Sequence, residues 1–279
     1  MKRLVKLLIF ISIIIFIIFF FYYQNNKIVV SNYEYDNISV PKEFNGFKIL
    51  HISDLHNKKF RSENKQLLNL IRNQEPDIIV ITGDLVDRRK YNLENAIDFI
   101  ENIKGIAPIY YVSGNHEAWS NKYNEVKEEL LLQGVVVLDN EKLTITKNNS
   151  KIDIIGLKDP GFLPDEDYTT IEIDKILEEL SNSSNFKILL SHRPELFDVY
   201  SNKQIDIIFT GHAHGGQFRI PLIGAIFAPD QGFFPKYTAG YYTNNFSTMF
   251  ISRGLGNSVI PIRLFNRPEI ILVNLKSDV

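Results

Sequence analysis

Polar turns that close short apolar runs constrain this 279-residue chain more than any other feature. Runs rich in β-branched and aromatic residues cover Phe47 to Ser53, Ile78 to Thr82, Ile109 to Ser113, Ile152 to Leu157, Phe186 to Ser191 and Ile205 to Thr210. Between them Ser62 to Gln74, Leu93 to Lys104, Tyr123 to Gln133 and Thr170 to Ser181 place apolar residues at three- and four-residue steps. Gly105 and Gly134 stand just past two of the ends. Strands alternating with amphipathic helices predict an α/β domain. No repeat, low-complexity tract or interior linker divides it.

Five of the six runs lead into a tight polar turn: Ser53-Asp54-Leu55-His56, Gly83-Asp84, Gly114-Asn115-His116-Glu117, Ser191-His192 and Gly211-His212-Ala213-His214. Open α/β sheets carry their sites at the carboxyl ends of strands, so these turns aim at one crevice. In extended chain, residues two apart point to the same side, so Asp54 with His56, and His212 with His214, can each offer two ligands to one centre. Carboxylate, carboxamide and imidazole suit Mn, Fe or Zn, and a carboxylate can bridge two ions; Asp84 is the natural bridge. Glycines at 83, 114 and 211 permit sharp turns and close backbone approach. Alone, an Asp-x-His or a Gly-Asp is an ordinary loop. The ordered set, which takes five of the six histidines, reads as a metal site. His51, inside the first run and on the opposite face from Asp54, reads as a core histidine, and Asp87 and Glu117 as residues that cap or orient their turns. With no cysteine, disulfides, thiolate ligands and a cysteine nucleophile are excluded.

Leu7 to Tyr23 is a 17-residue stretch without a charge, preceded by Lys2, Arg3 and Lys6 and followed by Lys27. With Leu4, Val5 and a snorkelling Lys6 it gives about 20 residues, or roughly 30 Å of helix, enough to cross a bilayer. The expected division is a membrane anchor and juncture over 1–27 and a catalytic domain over 28–279. The charge bias predicts a single-pass protein with its N-terminus inside and the domain outside the cytoplasm. A cleaved signal peptide and a buried core helix are the rival readings; the aromatic sequence Phe19 to Gln24 lacks the small residues of a cleavage site. The 31 basic and 33 acidic residues form no long run of either sign, so no nucleic-acid partner is expected. Oligomeric state is not legible.

The ordered turns resemble those of the calcineurin-like metallophosphoesterases, over about Phe47 to Leu275. Gly211 to Gln217, Ser252-Arg253-Gly254-Leu255-Gly256, and Pro261-Ile262-Arg263 through Arg267-Pro268-Glu269 are similar to C-terminal signatures of the membrane-associated bacterial phosphodiesterase branch. Ala213 departs from the Thr common there; the flanking histidines are intact. The resemblance implies a four-layer α-β-β-α sandwich, which the strand-helix alternation alone does not distinguish from a single doubly wound sheet. It implies one divalent ion on Asp54, His56, Asp84 and His214 and another on Asp84, Asn115, His192 and His212, Mn foremost, with Fe or Zn as alternatives. It further implies a hydroxide held between the ions that attacks phosphorus, and His116 as the acid that protonates the leaving group; a purely structural His116, bonded to a ligand carboxylate, is the other reading.

The expected activity is hydrolysis of phosphodiester or pyrophosphate bonds, on membrane lipids or nucleotide conjugates. A phosphomonoesterase acting on soluble or protein substrates, or an idle metal-binding envelope protein, are the alternatives. Arg193, Arg253 and Arg263 are candidates for phosphate contacts or for ion pairs. The aromatic-rich segment Phe218 to Tyr242 can cradle an acyl chain beside the bilayer or pack as core and hairpin.

Overall fold

The structure, a computed structural model, describes residues 2–60, 64–164, 169–244, 246–257 and 261–277. The N-terminal stretch is one helix, α1 (Lys2–Asn26), followed by β1 (Val29–Asp36), β2 (Lys48–Ile52), α2 (Lys65–Arg72), β3 (Ile78–Thr82), α3 (Leu93–Ile103) and β4 (Ile109–Val112). Next come α4 (Asn115–Trp119), α5 (Tyr123–Leu132), β5 (Val136–Val137), β6 (Glu141–Lys147), β7 (Ser150–Gly156), α6 (Thr169–Leu180), β8 (Phe186–Leu190), α7 (Phe197–Ser201) and β9 (Ile207–Thr210). Four two-residue strands, β10 (Arg219–Ile220), β11 (Gly224–Ala225), β12 (Phe227–Ala228) and β13 (Gly232–Phe233), precede β14 (Gly240–Asn244), β15 (Ser247–Ile251) and β16 (Glu269–Lys276). All six expected strands and all four expected helices are present with ends displaced by a few residues. The start expected for the first helix, at Ser62, lies outside the described residues.

Among the described residues the other twelve strands form two six-stranded mixed sheets, ordered β1-β16-β2-β3-β4-β5 and β14-β15-β9-β8-β7-β6. In the first, β2 to β5 run parallel while β16 returns antiparallel to β2 and parallel to β1. In the second, β7, β8, β9 and β15 are parallel, flanked by antiparallel β6 and β14.

Strand pleating sorts the side chains. Ile78 and Val80 of β3 join Ile188 and Leu190 of β8 and Ile207 and Phe209 of β9 in one cluster, so the sheets pack face to face. Ile79 and Ile81 of β3 face the other way, against Leu67, Phe99 and Val126 of the helices α2, α3 and α5. Leu189 and Ile208 likewise meet Ile173 and Leu177 of α6 and Tyr200 of α7. Both faces of each central strand are thus buried, which is why these strands read as continuous apolar runs. The layering is α-β-β-α, and the doubly wound single sheet is excluded.

Helix α3 shows how local signals place an element. The Asn92 side chain accepts the Asn95 N–H at 2.9 Å, capping the first turn. Ala96, Phe99, Ile100 and Ile103 then bury one stripe. Helix α1 is different: its apolar window has mean hydropathy 3.1 and none of it is buried. That rules out the core-helix reading and leaves a helix long and apolar enough to cross a membrane.

Candidate metal centre

The carboxyl ends of β2, β3 and β4 from one sheet and of β8 and β9 from the other open onto the same crevice, and their turns deliver the seven expected ligands to it. Asp54, His56, Asp84 and His214, all buried, bring one ligand atom each within 4.8 Å of one another; Asp84, His192 and His212 do the same. His56 Nε2 lies 3.5 Å and His192 Nε2 3.3 Å from the same Asp84 Oδ2. His214 Nε2 lies 3.3 Å from Asp54 Oδ1 and 3.0 Å from His56 Nε2, and Asn115 Oδ1 lies 3.1 Å from His192 Nε2. Asp84 therefore belongs to both clusters.

The backbone is bent to aim these groups. Asp54, His56, Asp84, His212 and His214 adopt φ between 46° and 63°, a left-handed region that costs a non-glycine residue on the order of 1 kcal/mol or more. Strain gathered on five of seven candidate ligands is held by the packing around them. Gly83, at φ +81°, is one support: a Cβ there would run into the Gly114 backbone. Gly211 is another, since a Cβ would collide with Ser53 Oγ and the Asp54 carboxylate. Glu117 ties the turns together, its carboxylate accepting the backbone N–H groups of Asp84 and Gly114 at 2.8 Å and of Val86 at 3.1 Å. Asp87 accepts from Arg89 and Lys90 N–H, capping its own loop.

Burial sets the protonation. It pushes His56 down to about 3 and His212 to about 4, so their rings present lone pairs at neutral pH. It lifts Asp54 to about 6. For His192 burial pulls downward but Asp84 overrides it and raises the imidazole to about 10, while for Asp84 burial pushes upward but His192 and His116 together outweigh it and hold the carboxyl well below its usual range. Buried carboxylates thus crowd against imidazoles, and the convergent oxygen and nitrogen donors fit a pair of divalent ions.

His116 stands at the rim. Its backbone N–H donates to Asp84 Oδ1 at 2.8 Å, and its Nδ1 accepts the Arg88 N–H at 3.1 Å. A neutral ring with Nδ1 accepting carries its proton on Nε2. His51 is buried against Phe209, with Nε2 2.7 Å from Thr82 Oγ1, away from the centre.

The three arginines are already engaged. Arg193 grips Asp159 with Nε at 2.8 Å and Nη2 at 3.1 Å, while Nη1 lies 3.2 Å from His212 Nε2 and bonds Asp230. Arg253 pairs with Glu269 at 2.8 Å. Arg263 is fully buried, its Nη1 donating to the carbonyls of Arg253 and Asn266 and its Nη2 to that of Gly256, so it is an internal clamp and not a phosphate ligand. Sequence reasoning missed Asp159 and Asp230. Asp159 had a signal, an Asp-Pro turn just after the fourth apolar run; Asp230, 2.7 Å from His212 Nε2, had none.

Comparison with known proteins agrees with this geometry. The sequence profile of the calcineurin-like phosphoesterases matches residues 47–216. An uncharacterized metallophosphoesterase, YkuE of Bacillus subtilis (strain 168), is 32% identical over 243 residues, covering 85% of this chain and 82% of its own length. The phosphodiesterase YaeI of Escherichia coli (strain K12) is 28% identical, covering 82% of each. The crystal structure of TT1561 of Thermus thermophilus shares the fold at a TM-score of 0.51 and 13% identity, over 75% of this chain and 90% of that one. With the profile spanning more than half of the chain, this protein belongs to the calcineurin-like phosphoesterase family and is a metal-dependent hydrolase.

Proposed function

We propose that the chain hydrolyses phosphodiester or pyrophosphate bonds at the outer face of a membrane, to which residues 1–27 anchor a catalytic domain of residues 28–279. The observation that carries the reading is the position of Asp84 in both donor clusters. Asp54, His56, Asp84 and His214 would hold one ion, and Asp84, Asn115, His192 and His212 the other; the family likeness puts Mn foremost, and the same oxygen and imidazole donors serve Fe or Zn. A pair of divalent ions supplies charge neutralisation on the phosphoryl oxygens and a water-derived nucleophile at neutral pH.

The chain's own residues do the rest. Glu117 and the strained turns fix the donors in place. His116, at the rim of the crevice, would serve as the acid in its imidazolium form, giving a proton to the leaving oxygen and returning to the neutral ring. The likeness to a relative named a phosphodiesterase supports a diester substrate over a monoester. The cations Lys2, Arg3 and Lys6, ahead of the uncharged stretch of α1, support an N-terminus inside and a domain outside. Contacts at the end of α1, where Lys58 and Asn257 bond Asn25 and Arg267 bonds Tyr23, support a retained anchor over a cleaved signal.

The test is metal analysis of the purified full chain in detergent, with turnover of bis-p-nitrophenyl phosphate against p-nitrophenyl phosphate. Two ions per chain and faster diester cleavage are expected, and loss of both activity and metal in Asp84→Asn. Faster monoester cleavage would make the protein a phosphomonoesterase; metal without turnover would make it an idle binder.

A further inference from the structure

Part of the aromatic-rich segment after the last ligand turn is spent, with Ala228 and Tyr237 packed in the core and Asp230 against His212, but its first hairpin is not. Its first hairpin, β10–β11, turns at Ile220 to Ile223, closed by the Ile223 N–H donating to the Ile220 carbonyl at 3.1 Å. The tip is apolar and bare: Leu222 is fully exposed, Ile223 is 62% exposed and Ile220 42%. Such a cluster at the end of a hairpin is an unusual surface for a domain in water alone.

Its neighbours point to an occupant. Arg219 N–H bonds the Leu264 carbonyl at 3.0 Å, and the next residue, Phe265, walls a shallow hollow of about 390 Å³ together with the hairpin tip. Phe265, itself half exposed, meets the ring of Phe20 edge-on at 5.7 Å. Phe20 belongs to the uncharged stretch of α1, three residues and about 4.5 Å along the axis before Tyr23. At Tyr23 the character changes, because Arg267 donates to the Tyr23 hydroxyl at 3.0 Å and lies over its ring at 5.4 Å. A tyrosine paired with an arginine is the composition of a membrane–water boundary. Phe265 therefore lies on the hydrocarbon side of that boundary, and the hairpin tip is continuous with it.

We propose that Ile220, Leu222, Ile223 and Phe265 form a second membrane contact, dipping into the leaflet that α1 leaves, so that the catalytic domain sits on the bilayer and does not swing from a tether. The proposal rests on α1 spanning the membrane, as argued above. Its occupant is lipid hydrocarbon: the patch carries no charge at its tip and adjoins a helix whose own apolar surface is bare.

Because the chain has no cysteine, single probes can be placed without background. Full-length Leu222→Cys, Leu132→Cys and Ile15→Cys would each be labelled with an environment-sensitive fluorophore and reconstituted in phosphatidylcholine vesicles, with and without brominated acyl chains. Leu132, 76% exposed on α5, is the control for dye partitioning, and Ile15 reports α1 itself. The expected result is blue-shifted emission quenched by bromine at 15 and at 222, with aqueous, unquenched emission at 132. Aqueous emission at 222 with a buried probe at 15 overturns the second contact alone. An aqueous probe at 15 overturns the anchor, and the contact with it.

Discussion

Glu117 Oε2 accepts the backbone N–H of Asp84 at 2.8 Å, so a carboxylate on the turn after β4 fixes the shared carboxylate on the turn after β3. In Glu117→Gln an amide NH2 faces backbone donors, and at least one of three buried N–H groups loses its acceptor. A loss of about 1–3 kcal/mol in stability follows, together with a roughly 10- to 100-fold weaker hold on divalent metal. Denaturant titration and competition with a chelator measure the two effects. Metal binding as tight as wild type would mean that something other than Glu117 orients Asp84.

His116 is separable from the ligands by leaving group. His116→Gln should lower kcat by roughly 10²–10⁴ on an alkyl phosphodiester, where the departing oxygen needs a proton. It should lower it far less on a p-nitrophenyl ester, whose leaving group departs as a stable anion. Equal losses on both substrates would assign the His116 side chain a structural role, through the Arg88 N–H that its Nδ1 accepts.

Gly83 tests the steric account of the turns. Gly83→Ala must place a methyl against the Gly114 backbone while holding φ at +81°. The two penalties together amount to about 2–4 kcal/mol. A shift of the denaturation midpoint with unchanged slope is the expected signature. A variant within about 0.5 kcal/mol of wild type, the scatter of surface substitutions, would contradict the close approach of these two turns.

Acid sensitivity should be traceable to Asp153, on β7 and distant from the centre. Burial pushes its pKa upward, but hydrogen bonds from Ser183 at 2.6 Å, Thr144 at 2.7 Å and Asn185 at 3.0 Å outweigh this and hold the carboxyl below its usual range. A depressed folded-state value gives stability that is present above the unfolded value, about 3.9, and lost as pH falls through the folded one. Asp153→Asn should therefore be less stable than wild type at pH 7 and converge on it below about pH 4, read from denaturant midpoints across that range. A difference independent of pH would show that the carboxylate charge is not what the three donors recognise.

The amino-acid sequence by itself determined the local elements and the chemistry of the turns. Ile78 to Thr82 had to be strand because five β-branched residues in succession can be buried on both faces, and Gly83 marked a turn because glycine enters the left-handed region without steric cost. Asp54 with His56, and His212 with His214, were legible as pairs since their spacing is a property of the chain alone. What the tertiary structure decided is which distant pieces meet. Strand β16 enters the first sheet between β1 and β2, 238 residues from Ser31 at the Ser31–Glu269 bond, and no local pattern encodes such a pairing. Arg193 reads as a phosphate ligand in isolation and becomes the partner of Asp159 and Asp230 only when loops from three parts of the chain close on it. Arg263, polar enough to be placed on the surface, is wholly buried because backbone carbonyls of a folded loop accept its protons. Residue type sets what a side chain can bind and which backbone angles it tolerates; the packing of two sheets decides who its neighbours are, and only neighbours make a site.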